Sequence, residues 1–212
     1  MPAKNRINCL YWILHFCIGV YMRTFCRLKL VGTEKIPRKD GLIIASNHVA
    51  GADPFLLGSA VPRELWFMAK KELFKPRFLG WFIARVNAFP VDRFAFDLEV
   101  IRKSLAVLEE GKALIMFPEG TRSRDGDVGE GKIGVGMLAR KAGVPIVPAY
   151  LENSRKAWLN FLAGKRLKVI FGNIMTADWI ISKENSKSGY KEITDELTRR
   201  IRLLKTEAAN YL

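Results

Sequence analysis

Four short, almost unbroken apolar runs, at residues 41–46, 113–117, 145–151 and 167–171, constrain the architecture more than any other feature of the chain. Each is too short for a core helix and reads as a buried strand. Between them lie stretches with helical spacing. Residues 96–110 set Leu98, Ile101, Leu105 and Leu108 on one face and stop at Gly111, and residues 135–141 behave alike before Gly143. Residues 190–211 carry Ile193, Leu197, Ile201 and Leu204 at helical spacing in an otherwise charged segment, which predicts an amphipathic helix packed on the body. Strands alternating with helices predict an α/β fold, a single domain with a mixed, largely parallel sheet flanked by helices. A length of 212 residues at 49% hydrophobic content is enough for one such core. No repeat, low-complexity tract or long linker points to a second domain.

Residues 7–22 form a run that favours leaving water, with Lys4 and Arg6 before it and Arg23, Arg27 and Lys29 after it. The run contains Asn8 and His15 and is shorter than the roughly 20 residues of a membrane-spanning helix. No convincing small-x-small cleavage site follows, which argues against a signal peptide. Cationic flanks and the aromatics Tyr11, Trp12, Phe16 and Tyr21 suit a helix lying in a membrane interface; a buried core helix is the alternative. The expected division is therefore a membrane-associating helical segment at 1–30 and an α/β domain at 31–212.

Residues 65–89 interleave Trp66, Phe67, Phe74, Phe78, Trp81, Phe82 and Phe89 with Lys70, Lys71, Lys75, Arg77 and Arg85. Three readings fit: a bilayer interface, a single-stranded nucleic acid groove, or core aromatics under a solvated charged face. The N-terminal run favours the membrane, because stable anchoring takes two signals. The formal charge of +14, from 35 Lys and Arg against 21 Asp and Glu, attracts any anionic partner and does not choose among them. Cys9, Cys17 and Cys26 are odd in number, clustered near the N-terminus and lack metal-ligand spacing, so neither a disulfide framework nor a zinc site is expected.

Chemistry is expected on the loops that leave the strands. After the first run comes Asn47-His48-Val49-Ala50-Gly51-Ala52-Asp53-Pro54, in which Asp53 and Pro54 suit the N-cap and first position of a helix. The small residues 50–52 would let the Asp53 carboxylate reach one ring nitrogen of His48, fixing a tautomer that makes the other nitrogen a general base. The bland alternative is a helix cap beside a turn histidine. After the second run comes Pro118-Glu119-Gly120-Thr121-Arg122-Ser123. There Arg122 suits a phosphate, Gly120 allows close backbone approach and Glu119 can bond a hydroxyl. Arg93, in Val91-Asp92-Arg93, and Lys132, after the glycine-rich residues 126–131, are further candidate cations.

Taken together, the segments 47–53, 89–93 (Phe89-Pro90-Val91-Asp92-Arg93), 117–123 and 144–148 (Val144-Pro145-Ile146-Val147-Pro148) resemble the four ordered motifs of the glycerolipid acyltransferases. The bacterial 1-acylglycerol-3-phosphate acyltransferases are the branch most similar in size and N-terminal character. The motifs span about half of the chain, and their order and spacing fit as well as their letters. The resemblance implies that His48, oriented by Asp53, deprotonates the free hydroxyl of lysophosphatidic acid, which then attacks an acyl thioester and gives phosphatidic acid. It implies substrate binding by Arg93, Glu119, Gly120, Thr121, Arg122 and Lys132, with Pro145 and Pro148 shaping the acyl side. Neither a metal nor a bound cofactor is expected, since acyl carrier protein or acyl coenzyme A arrives as the activated co-substrate. The implied setting is an anionic phospholipid membrane, at the cytoplasmic face of a bacterial inner membrane, with the protein monotopic or peripheral. Alternatives are the same fold acting on glycerol 3-phosphate or a lyso-aminolipid, a basic nucleic-acid-binding module, and a non-catalytic lipid-surface protein.

Overall fold

The computed structural model of the protein describes residues 8–92, 98–123, 126–160 and 162–211. Its centre is a seven-stranded sheet: β1 (Lys29–Val31), β2 (Leu42–Ser46), β3 (Leu65–Lys70), β4 (Ala88–Val91), β5 (Ala113–Met116), β6 (Ile146–Glu152) and β7 (Lys168–Phe171), ordered β1-β7-β6-β2-β5-β3-β4. All neighbours are parallel except β6 and β7. The sheet is thus mixed and largely parallel, as expected, and the four apolar runs become β2, β5, β6 and β7. Both faces are covered. Alternate residues of β2 show it: Leu42 and Ile44 belong to one core cluster, Ile43 and Ala45 to the other.

Helices α1 (Cys9–Phe25), α2 (Asp53–Ala60) and α3 (Arg77–Arg85) lie on one face; α4 (Leu98–Glu109), α5 (Gly134–Ala142), the short α6 (Ala177–Ile181) and α7 (Lys187–Glu207) lie on the other. The expected amphipathic helix is α7, whose buried stripe includes Ile193, Leu197, Ile201 and Leu204. Ser186 caps it by accepting from the Gly189 N–H. Gly136 on α5 meets α7 so closely that a Cβ there would stand 2.1 Å from the Tyr190 carbonyl oxygen.

Three strands escaped the sequence reading. The segment at 65–89 divides into β3, a 3-10 turn at Lys71–Phe74, α3 and the start of β4. Its aromatics divide likewise, with Phe67 and Phe89 in the core while Phe78 and Trp81 are exposed.

Helix α1 is both core and surface. Asn8 caps it by accepting from the Tyr11 N–H, and Tyr11, Gly19 and Met22 are buried against the body. The Tyr11 hydroxyl oxygen accepts the Leu65 N–H at 3.0 Å, and burial pushes its phenol up to about 12. Trp12 Nε1 donates to Glu64, which also accepts the Asn8 N–H. The opposite face leaves Ile13, Phe16, Val20 and Phe25 exposed. Among the described residues, no helix is long and apolar enough to cross a membrane.

Candidate active site

The parallel strands β2, β5 and β3 run side by side, so the loops leaving them meet at one edge of the sheet, where α/β folds hold their ligands. Asn47 secures the first loop. Its buried amide donates to the Leu151 carbonyl at 3.0 Å and accepts the Leu151 N–H at 2.8 Å, extending the pairing of β2 with β6 by one side chain. The chain then folds back at the small residues 50–52.

Asp53 is fully buried and His48 nearly so. Asp53 Oδ2 lies 2.8 Å from His48 Nδ1 and also accepts the N–H groups of Val49 at 2.7 Å and Ala50 at 2.8 Å. A carboxylate with those donors takes the Nδ1 proton as a third, which leaves Nε2 with its lone pair. The expected helix cap is corrected here. Ala52, not Asp53, occupies the cap position, and no side chain bonds the first turn; Asp53 is the first helical residue, with Pro54 next. Its carboxylate faces back into the loop, where two loop amides and an imidazole offer it three donors. His48 also stacks on Phe117, with ring centroids 4.0 Å apart.

Two cavities adjoin the loop. His48, Phe67, Met68, Asp92, Met116, Phe117 and Lys132 are among the residues lining a chamber of about 330 Å³. Beside it, Lys70, Gly120, Thr121, Arg122, Lys132 and Arg155 line an open basin of about 770 Å³. Gly120 and Lys132 border both. Gly120 has a left-handed φ of +70°, and a Cβ there would stand 3.2 Å from Lys132 Nζ, so the Lys132 ammonium packs directly against this glycine. The Ser123 N–H donates to the His48 carbonyl at 2.7 Å, and Arg155 donates to the Ser123 carbonyl at 2.9 Å, joining basin and base.

The structure therefore brings together His48, Asp53, Gly120, Thr121, Arg122 and Lys132. Glu119 is buried against Gly129 and lines neither cavity, nor do Pro145 and Pro148. Arg93 lies outside the described residues; its neighbour Asp92 pairs with Lys71. Sequence reasoning missed the roles of Lys70 and Arg155 as basin cations and of Phe117 as a ring partner. Lys70 was findable, since Leu65 and Phe67 alternate inward toward a cation at the strand's end; Arg155 carries no local signal.

Residues 27–152 match the family model for Acyltransferase. A 1-acyl-sn-glycerol-3-phosphate acyltransferase of Bacillus subtilis is 30% identical over 85% of this chain and 89% of its own length. One from Streptococcus pneumoniae is 31% identical over 84% of this chain and 66% of its own length. The crystal structure of the 1-acyl-sn-glycerophosphate acyltransferase of Thermotoga maritima shares the fold, with a TM-score of 0.67 at 22% identity over 92% of this chain and 80% of that one. The family match covers β1 through β6 and both loops that build the site, and on that ground the chain belongs to the acyltransferase family.

Proposed function

We propose that this protein acylates the free hydroxyl of 1-acylglycerol 3-phosphate with an acyl thioester, giving phosphatidic acid. The observation that carries the reading is a buried His48–Asp53 pair at 2.8 Å opening on a chamber beside a cationic basin. His48 Nε2 takes the proton of the hydroxyl, whose oxygen attacks the thioester carbonyl carbon. The tetrahedral intermediate collapses with cleavage of the carbon–sulfur bond, and the imidazolium returns the proton to the leaving thiolate. Asp53 stabilises the imidazolium between those two steps.

Arg122 and Lys132 hold the acceptor phosphate, joined by Lys70 and by Arg93. Gly120 supplies backbone at the border of chamber and basin and Thr121 lines the basin, while Glu119 is buried beside Gly129. The Bacillus and Streptococcus relatives, both 1-acyl-sn-glycerol-3-phosphate acyltransferases, favour this acceptor. The donor is acyl carrier protein or acyl coenzyme A, for which the cationic surface provides attraction. The exposed apolar face of α1, with Leu73, Phe78, Leu79 and Trp81 around α3, docks the protein on an anionic leaflet as a monotopic or peripheral protein.

The test is turnover of lysophosphatidic acid with an acyl thioester. His48→Ala is expected to lower kcat by about 100-fold to 10,000-fold, the range of general-base catalysis. Near-normal turnover by His48→Ala would refute the mechanism.

A further inference from the structure

Phe117 stacks on the catalytic ring face to face, with centroids 4.0 Å apart and planes 19° from parallel. The sheet creates this contact. Strands β2 and β5 are parallel neighbours with Ala45 paired to Met116, so the chain segments leaving them stand side by side, His48 on one and Phe117 on the other. The Phe117 carbonyl accepts the Gly120 N–H at 3.0 Å, which fixes the root of the ring. Both rings line the same chamber. An aromatic face is electron-rich and attracts a cation centred over it, whereas a neutral imidazole gains much less.

We infer, on the general-base reading of His48, that Phe117 is a positioning residue for proton transfer: its face fixes the plane of the imidazole and stabilises the imidazolium formed between the two proton transfers. The other charged groups around His48 are Asp53 of α2 at Nδ1, and Asp92 and Lys132 across the chamber. Glu119 is buried two residues beyond Phe117, and Lys70, Arg122 and Arg155 line the adjoining basin. Asp53 and Asp92 favour the charged ring and the cations oppose it. All are retained when residue 117 changes, so a change there isolates the effect of the ring.

The experiment is the pH dependence of kcat/KM for the wild type, Phe117→Leu, Phe117→Tyr, and protein carrying mono- to trifluorinated phenylalanine at 117. Without the ring, the imidazolium loses the stabilisation of the aromatic face. The acid limb should therefore move down by about half a pH unit to one unit in Phe117→Leu, as a cation–π contact of ordinary strength requires. Phe117→Tyr should stay close to the wild type. The fluorinated series keeps the ring's shape while draining its face, so its limb should step down with each fluorine. An acid limb that stays fixed across the fluorinated series overturns the inference and leaves Phe117 as a space-filling residue, and that series decides the matter even if Phe117→Leu does not fold. His48→Ala in the same assay separates the two levels. If it turns over normally, the general base and this inference both fall; if it is inactive while the limb stays fixed, only the role of Phe117 falls.

Discussion

Asp53 shows what one carboxylate oxygen can do at residue scale. It closes the loop through the Val49 and Ala50 amides and orients His48 through Nδ1, and these two functions respond differently to substitution. In Asp53→Asn an amide oxygen still accepts the loop N–H groups but carries no charge to balance an imidazolium. We expect kcat to fall about 100-fold to 10,000-fold with the melting temperature nearly unchanged. Asp53→Ala should lose the same activity and also destabilise by up to about 1 kcal/mol per amide left unpaired, since the Val49 and Ala50 amides are only partly buried. Equal stability losses in both variants, measured by denaturant titration, would mean that charge rather than acceptor geometry holds the loop. The five-residue spacing of His48 and Asp53 made this pair legible in the sequence, because a short loop of small residues has few ways to close. The stack with Phe117 was not legible, since 69 positions separate the two rings along the chain and only the β2–β5 register joins them.

Elements resolve what composition left ambiguous. The run that becomes α1 is apolar on nearly every side, so its helical period alone does not reveal which face is inside; packing on α2 and β3 sorts Tyr11 and Met22 inward and Phe16 outward. Deleting the helix would therefore confound two roles by opening the core. Replacing only the outer face, in Ile13→Ser/Phe16→Ser/Val20→Ser, should leave stability within about 0.5 kcal/mol per site, as for other surface changes, yet lower sedimentation with lipid vesicles at least tenfold. Retained vesicle binding by a folded triple variant would remove α1 as the docking element. In α7, by contrast, the apolar stripe was legible because charges surround it. There Glu196 accepts from both Arg199 and Arg200, and chiefly the Arg199 hydrogen bond holds its carboxyl down at about 2 against an ordinary value of 4.5. The folded value lies below the unfolded one, so the stabilisation is full above about pH 4.5 and disappears as pH falls toward 2. Glu196 is partly exposed, so Glu196→Gln should cost no more than about 1 kcal/mol at neutral pH. The difference from wild type in denaturant midpoint should narrow through that acid window; a gap independent of pH would locate the effect elsewhere.

At the scale of the whole molecule, alternating buried runs and helices were enough for an α/β class with parallel pairing, whereas the strand order and the antiparallel β7 depend on contacts that no local pattern records. The charge of +14 is legible at once, but its meaning depends on what lies beside it. The exposed aliphatic residues Ile13 and Val20 stand with Phe16, Phe78 and Trp81 beside cations on α1 and α3, and aliphatic surface suits insertion into a leaflet rather than the stacking of bases. The two contributions separate by salt. Between 0.01 and 1 M ionic strength the screening length contracts from about 30 Å to about 3 Å, which removes long-range attraction and leaves apolar insertion intact. Binding to phosphatidylglycerol vesicles should therefore weaken steeply over that range and level off at the affinity measured on neutral phosphatidylcholine vesicles, where salt should have little effect. The serine triple variant should keep the salt-dependent part and lose the plateau. Binding to anionic vesicles that ignored salt would show that the positive field does not steer the protein, and the cationic excess would then act only within the basin beside His48.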